Sequence, residues 1–176
     1  MENNEKELIE KAKTGDIKSF EGLISKYKEK IYNIAGYVCL GARGEADDVY
    51  QETFITAFKK IKDFKGNSSL GTWLYRIAAN NCWMRFRKKK KENLVSLEDV
   101  KGLSSHEEHL KNELSLDVVR ALAELSVEHR LVVTLTDLEG MSMEEAARVL
   151  KISVPALKSR LFRARKLLKD KFNPQK

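Results

Sequence analysis

The sequence predicts an all-α protein made of two helical domains joined by a flexible linker, the C-terminal one a helix-turn-helix. Three observations carry this. Nearly every periodic segment repeats its apolar residues with a period near 3.6, and no run reads convincingly as a strand. The 176 residues include only two prolines, Pro155 and Pro174. One stretch, "ENLVSLEDVKGLSSHEEHL", breaks the periodicity and mixes Ser, Gly and acid, as linkers do. Residues 1–91 are therefore expected to form one domain, 92–111 the linker and 112–176 the second domain.

Helices are expected over about 5–15, 17–40, 45–62, 70–90, 108–123, 127–138, 143–150 and 154–171. The first is acidic and amphipathic, "MENNEKELIEKAK", unlike a secretory signal. The helix "EADDVYQETFITAFKKI" is expected to bury Tyr50, Phe54, Ala57, Phe58 and Ile61. Its outer face then offers Asp48, Val49, Glu52 and Ile55, with Gln51 at the edge. Acid mixed with exposed apolar groups fits a docking face for a basic protein, although a lone acidic helix face is ordinarily only solvated.

In the helix over 70–90, Leu70, Leu74, Ile77 and Ala78 form the inward stripe at about 100° per residue. The far side carries Thr72, Arg76, Asn80, Trp83 and Arg87, with Trp73 on the border. Aromatic side chains among Arg and Asn suit stacking on unpaired bases beside neutralised phosphates. Tryptophan at helical spacing is also common in cores, so both readings stand on this pattern alone. The loop ahead of this helix, in "FKGNSSLGTWLYRIAANN", has two glycines five apart. It is not a phosphate loop: Gly71 is followed by Thr72 and Trp73, and the Lys that would reach the phosphates is missing.

The second domain has the clearest local signals. Ser142 and Glu145 form a capping box ahead of "MEEAARVL". Lys151 and Ile152 make a short turn. Ser153 caps the next helix, whose first turn tolerates Pro155. Two helices joined this closely, the second basic, form a helix-turn-helix. On the second, Leu157, Leu161, Ala164 and Leu168 point inward; Ser159, Arg163 and Lys166 lie opposite, flanked by Lys158 and Arg160. Such side chains bond phosphates and base edges in a major groove. A basic amphipathic helix for a membrane or partner is the alternative, but its apolar stripe is needed for the core.

Charge is segregated. The net charge is +7 and the pI about 9.3. Residues 1–84 carry +1, "RFRKKKK" at 85–91 carries +6, residues 92–150 carry −8 and residues 151–176 carry +8. Two basic blocks on long helices fit one extended polyanion touched twice. No apolar run approaches the ~20 residues of a membrane span, and a cytoplasmic protein is expected. Cys39 and Cys82 fit neither a metal pair nor a disulfide framework and read as reduced core thiols. His106 and His109, spaced i, i+3 in the linker, lack a third ligand, so no metal and no cofactor is expected. No recurring catalytic arrangement is present, and an enzyme is not expected.

Together these pieces resemble a bacterial RNA polymerase sigma factor of the extracytoplasmic function class, in the sigma-70 family. "DDVYQETFITAF" is similar to the family's core-polymerase-binding helix. "FKGNSSLGTWLYRIAAN" is similar to its promoter-opening, −10-reading segment, and "LTDLEGMSMEEAARVLKISVPALKSRLFRARKLL" to its −35-reading helix-turn-helix. The resemblance covers nearly the whole chain, with the motifs in the family's order. It makes residues 1–91 sigma region 2 and residues 112–176 sigma region 4.

The resemblance implies that Asp48, Val49, Gln51 and Glu52 dock on the coiled coil of the polymerase's largest subunit. It implies −10 contacts from Lys65, Gly66, Asn67, Ser68, Ser69, Thr72, Trp73, Arg76, Asn80, Trp83 and Arg87, with the loop over 65–69 taking a base flipped from the stack. It implies −35 contacts from Ser153, Ala156, Lys158, Ser159, Arg160, Arg163 and Lys166. The linker would run near the polymerase active cleft and RNA exit path. An anti-sigma factor is an expected partner beside core polymerase and promoter DNA. Three positions depart from the pattern. Lys151 replaces a frequent Gly, Pro155-Ala156-Leu157 replaces Gly-Thr-Val, and Gly71 replaces a bulkier residue. A free-standing DNA-binding regulator, binding duplex tightly without polymerase, and a pure interaction module, binding no DNA, are the competing classes.

Overall fold

The computed structural model describes residues 2–40, 44–91 and 115–172, and among these there is no strand. The all-α expectation is met. The linker, with His106 and His109, lies outside the described residues, as does Pro174. None of the described helices is long and apolar enough to cross a membrane.

The first half holds α1 (Glu2–Lys13), α2 (Ile17–Ile24), α3 (Lys28–Val38), α4 (Glu45–Lys60) and α5 (Leu70–Lys91). The expected single helix over 17–40 is broken by a 3₁₀ turn, Ser25–Tyr27. The break lets the Tyr27 ring meet Tyr75 edge-on at 5.9 Å. The same ring fills the space over Gly71, where a Cβ would come within 2.8 Å of it. Gly71 is thus a packing glycine in the first turn of α5. Gly66, at φ +72°, is the loop residue whose backbone needs a glycine.

The face of α4 differs from expectation. Ala46, Val49, Thr53 and Ala57 are buried, and Phe58 is exposed. Small residues let α4 approach α3 and α5 closely, and the rings lie on the flank. Tyr50 stacks edge-on with Tyr32 and Phe54, and Phe58 meets Phe20 at 5.1 Å. The pattern of large apolar residues was a poor guide here because the seam between these helices is too tight for aromatic rings.

The second half holds α6 (Leu116–Ala123), α7 (Val127–Val133), α8 (Met143–Leu150) and α9 (Val154–Phe172). The expected helix over 127–138 ends as α-helix at Val133 and continues as a wider turn, in which Glu139 N–H donates to Thr134 O. The capping box of α8 is present, with Ser142 and Glu145 bonded reciprocally. Lys151 sits at φ 54°, ψ 43°, the only non-glycine residue with positive φ among those described. Its N–H donates to Arg148 O, and that of Ile152 donates to Ala147 O, closing a Schellman motif.

One apolar core runs through both halves. At its centre is Arg130 of α7, only 5% exposed. Nη1 donates to Val38 O at 2.9 Å and Leu40 O at 3.0 Å, at the end of α3. Nε and Nη2 donate to Leu125 O and Ala123 O, at the end of α6. The guanidinium also lies 4.9 Å from the Phe86 ring centre. Burial pushes its pKa down to about 10, so it is charged at neutral pH. Two further contacts join the halves. Arg76 donates to Arg148 O at 2.8 Å, and Lys30 to Glu139 O at 2.9 Å.

Two outcomes follow. Lys151→Gly removes left-handed strain from a β-carbon-bearing residue and is expected to stabilise the protein by about 1 kcal/mol, read as a higher urea midpoint at unchanged slope. Arg130→Met removes the charged donor common to both halves. It is expected to cost about 2 kcal/mol of docking, from the range for hydrogen bonds to a charged group, which is roughly 30-fold in the open-to-closed ratio. Faster amide exchange in α5 and α8 at unchanged helix content would report it; uniform unfolding would not fit.

Candidate functional site

Three surfaces follow from these elements. The first is on α4. Asp48, Gln51 and Glu52 are exposed, as the sequence suggested. Val49 is not: it is fully buried, because it lies on the small-residue seam and not on the outer face. Arg85 of α5 reaches across and donates to Glu45 at 3.0 Å, Asp48 at 3.2 Å and Glu52 at 3.2 Å. Burial pulls its pKa down, but the Glu52 hydrogen bond and the charges of Glu45, Glu52 and Asp48 outweigh this and hold it above the usual arginine value. Ile55 and Met84 are exposed beside this acid. Met84 was not expected here, although its position off the inward stripe of α5 was a readable signal.

The second surface combines the loop over 65–69 with α5. Ser69 caps α5, accepting from Thr72 N–H at 3.2 Å, and its hydroxyl meets Thr72 Oγ1 at 2.9 Å. Thr72 is buried by this cap, so its hydroxyl does not face outward as expected. Lys65, Gly66, Asn67 and Ser69 are exposed and Ser68 is half-buried. Gly66, Ser68 and Ser69 line an open groove whose other wall is α1 and α2, with Glu5 and Lys26, themselves ion-paired, on its rim. Trp73 packs on Phe64, ring centres 5.3 Å apart.

Along α5, Arg76, Asn80, Trp83 and Arg87 share a side, as read. Asn80 and Arg87 are exposed; Arg76 and Trp83 are half-buried. The covering comes from the second half of the chain. Asn80 and Trp83 line a cavity closed by Leu131, Val149, Leu150 and Arg160. Arg76 is held by the Arg148 carbonyl, and its Nε is buried with no hydrogen-bond partner. The structure therefore brings Arg76, Asn80 and Trp83 of α5 to the joint with the second half, where Arg160 of α9 lines the same cavity as Asn80 and Trp83.

The third surface is α9. Leu157, Leu161 and Ala164 are buried, and Leu168 is half-buried. Lys158, Ser159, Arg163 and Lys166 are exposed, and Arg163 donates to Ser159 Oγ at 3.1 Å. Ser153 caps the helix, accepting from Ala156 N–H at 3.3 Å; Ala156 is half-buried. Phe162 stands among these polar side chains, 72% exposed. Phe162 is not among the residues expected at this surface, although it lies one position from the buried Leu161 and so leaves the core stripe. Arg165, one turn round the helix, is instead bound to Asp137 through both carboxylate oxygens. Among the described residues no group of three or more His, Cys, Asp or Glu is arranged to hold a metal.

Residues 23–92 match the family profile "Sigma-70 region 2", and residues 115–168 match "Sigma-70, region 4". The ECF RNA polymerase sigma-E factor of Haemophilus influenzae is 33% identical over 182 residues, spanning 95% of this chain and 94% of that protein. The protein of the same name from Escherichia coli K12 is 33% identical, with 95% and 93% covered. Among solved structures, RpoE bound to the anti-sigma factor NepR, from Bartonella quintana, superposes with a TM-score of 0.74 at 26% identity, covering 91% of this chain and all of that one. CnrH, bound to the cytosolic domain of CnrY, superposes at 0.71 and 26% identity, with 98% and 99% covered.

Proposed function

The chain belongs to the sigma-70 family as a sigma factor of the extracytoplasmic function class, and from that premise we propose how its surfaces divide the work of transcription initiation. Residues 1–91 act as region 2 and residues 112–176 as region 4, with residues 92–111 between them. Asp48, Gln51 and Glu52 dock on a basic surface of core polymerase, the coiled coil of its largest subunit. The loop over 65–69, with Asn80, Trp83 and Arg76, takes up an unpaired base of the −10 element. Lys158, Ser159, Arg163 and Lys166, joined by Arg160, read the −35 duplex. The chain does no chemistry of its own. It acts in the cytoplasm, where core polymerase is, and its partners include an anti-sigma factor, as RpoE has in NepR.

One observation carries the DNA-reading part: α9 seals Leu157, Leu161 and Ala164 beneath it and turns Lys158, Ser159, Arg163 and Lys166 to solvent. A helix seated this way on a capped partner presents polar donors to a groove without giving up its core. A second consequence concerns order of events. Arg76 and Trp83 are partly covered by α8 and α7, so using both DNA-reading surfaces at once requires the Arg130 contacts to open.

The test is reconstituted transcription with core polymerase and a pool of genomic promoters. Specific initiation only with core supports the assignment; tight duplex binding without core would favour the free-standing regulator. Glu52→Lys with Asp48→Lys is expected to weaken core binding by about 2 kcal/mol or more, the range for one interfacial charge pair, with the helical fold intact. Unchanged affinity in a fluorescence titration would remove α4 from the interface. Asn80→Ala is expected to raise the barrier to promoter opening by about 1–3 kcal/mol, one base contact, with little effect on pre-melted DNA binding beyond that contact. Permanganate footprinting reads this; normal opening on duplex promoter would remove Asn80 from the proposed −10 contact.

A further inference from the structure

Neither cysteine has a part in any of the surfaces above, yet the fold places them face to face. Cys39 ends α3 and Cys82 lies in the middle of α5, 43 residues on, with the Cys39 and Cys82 sulfurs 3.9 Å apart. Both are free thiols and both are buried, at 2% and 0% exposure. Nothing in the sequence spacing pointed to this approach.

The position of the pair matters more than its burial. Cys39 lies between Val38 and Leu40, whose two carbonyls receive Arg130 Nη1 from the second half of the chain. The backbone of Cys39 is therefore the seat of the contact that joins the halves. The guanidinium charge is also felt at Cys82, where it favours the thiolate. Against it, the hydrogen bond that the Cys82 thiol shares with Cys39 and then burial hold it well above its usual value. A thiol so placed is unreactive while covered, since the thiolate is the nucleophile.

We propose that Cys39 and Cys82 form a reversible oxidation site that closes to an intramolecular disulfide, and that docking of Arg130 shields it. The co-reactant is a small hydroperoxide. It oxidises one thiolate to a sulfenic acid as its O–O bond breaks, leaving an alcohol, or water from hydrogen peroxide. The second sulfur then attacks the sulfenic sulfur, and the hydroxyl leaves as water with the second thiol's proton. Two thiols and one hydroperoxide give one disulfide, one alcohol and one water, with two electrons passed from sulfur to oxygen. The finished disulfide adds no group to the packed interior, because the bonded sulfurs occupy less space than two thiols. The sulfurs must draw together by roughly 2 Å, next to the two carbonyls that hold Arg130. Oxidation and docking of the second half are therefore linked, and the site reacts in proportion to how often the joint opens.

The experiment uses the full chain, hydrogen peroxide as the probe, intact-mass measurement and dithiothreitol reversal. The wild-type chain is expected to lose two hydrogens and regain them on reduction, and either Cys39→Ala or Cys82→Ala should abolish the loss. Arg130→Met should react faster, by roughly 30-fold if its rate follows the increase in opening expected when the Arg130 contacts are lost. If that variant does not fold, Arg130→Lys, which keeps the charge but not the fork, replaces it with a smaller acceleration. Thiols that stay free in the wild-type chain, or that stop at oxygen adducts on one sulfur, overturn the site. A disulfide formed at equal rates in the wild-type and Arg130 variant chains overturns the shielding.

Discussion

A single buried cation organises the joint between the two halves. Arg130 has no carboxylate within the hydrogen bonds it makes; all four acceptors are backbone carbonyls, at the C-terminal ends of α3 and α6. Those ends carry the negative pole of their helices and the carbonyls left without an intrahelical donor. One planar fork thus satisfies orphan acceptors on both sides of the joint, and Phe86 offers its ring face to the same charge. A lysine has one compact charge and cannot serve acceptors in four directions with this geometry. The depressed pKa, about 10, records what burial of the charge costs. The secondary contacts, Arg76 to Arg148 O and Lys30 to Glu139 O, also run between the halves and form only when the halves are seated.

That seating has an energetic consequence for the proposed reading of promoter DNA. The residues that would meet an unpaired base share their surface with α7 and α8. A partner that engages only the separated halves gains its affinity less the free energy of breaking the joint. The joint packs apolar side chains around one buried cation whose acceptors are all backbone carbonyls. It is correspondingly sensitive to Arg130 and to the chain geometry at Cys39. An element poised in this way can be biased from a distance by anything that moves the end of α3.

Much of the fold was legible because its signals were local. The capping box at Ser142, the cap at Ser153 and the inward stripe of α9 are each decided within a few residues, and each is present. The misreadings have a common cause, which is packing between elements distant in sequence. The large residues of α4 point Val49 outward in the sequence pattern; the tight seam with α3 and α5 selects small residues and buries it instead. Helical spacing puts Thr72 on the far side of α5, whereas its hydroxyl and amide belong to the Ser69 cap. The break in the helix expected over 17–40 goes with the packing of Tyr27 over Gly71, a contact between residues 44 positions apart. Arg130 stands at the edge of the apolar run "RLVVTL" with nothing local to reveal its acceptors. The pairing of Cys39 with Cys82 is likewise a product of tertiary structure.

The basic run at the end of α5 shows how helix geometry divides what composition joins. "RFRKKKK" reads as one block of +6 facing a polyanion. Two residues along a helix turn roughly 200°, so Arg85 and Arg87 cannot share a face. Arg87 and Lys88 are exposed, whereas Arg85 folds back onto Glu45, Asp48 and Glu52. The acid of α4 is thereby partly neutralised within the chain. Such ion pairs at a surface are each worth about 0–1 kcal/mol, too little to hold the acid against a basic partner that brings several charges and apolar contact at Ile55 and Met84. Arg85 keeps the three carboxylates gathered and solvated on one side of α4 until a stronger set of donors arrives. The arrangement restrains the acidic side chains without closing the surface they form.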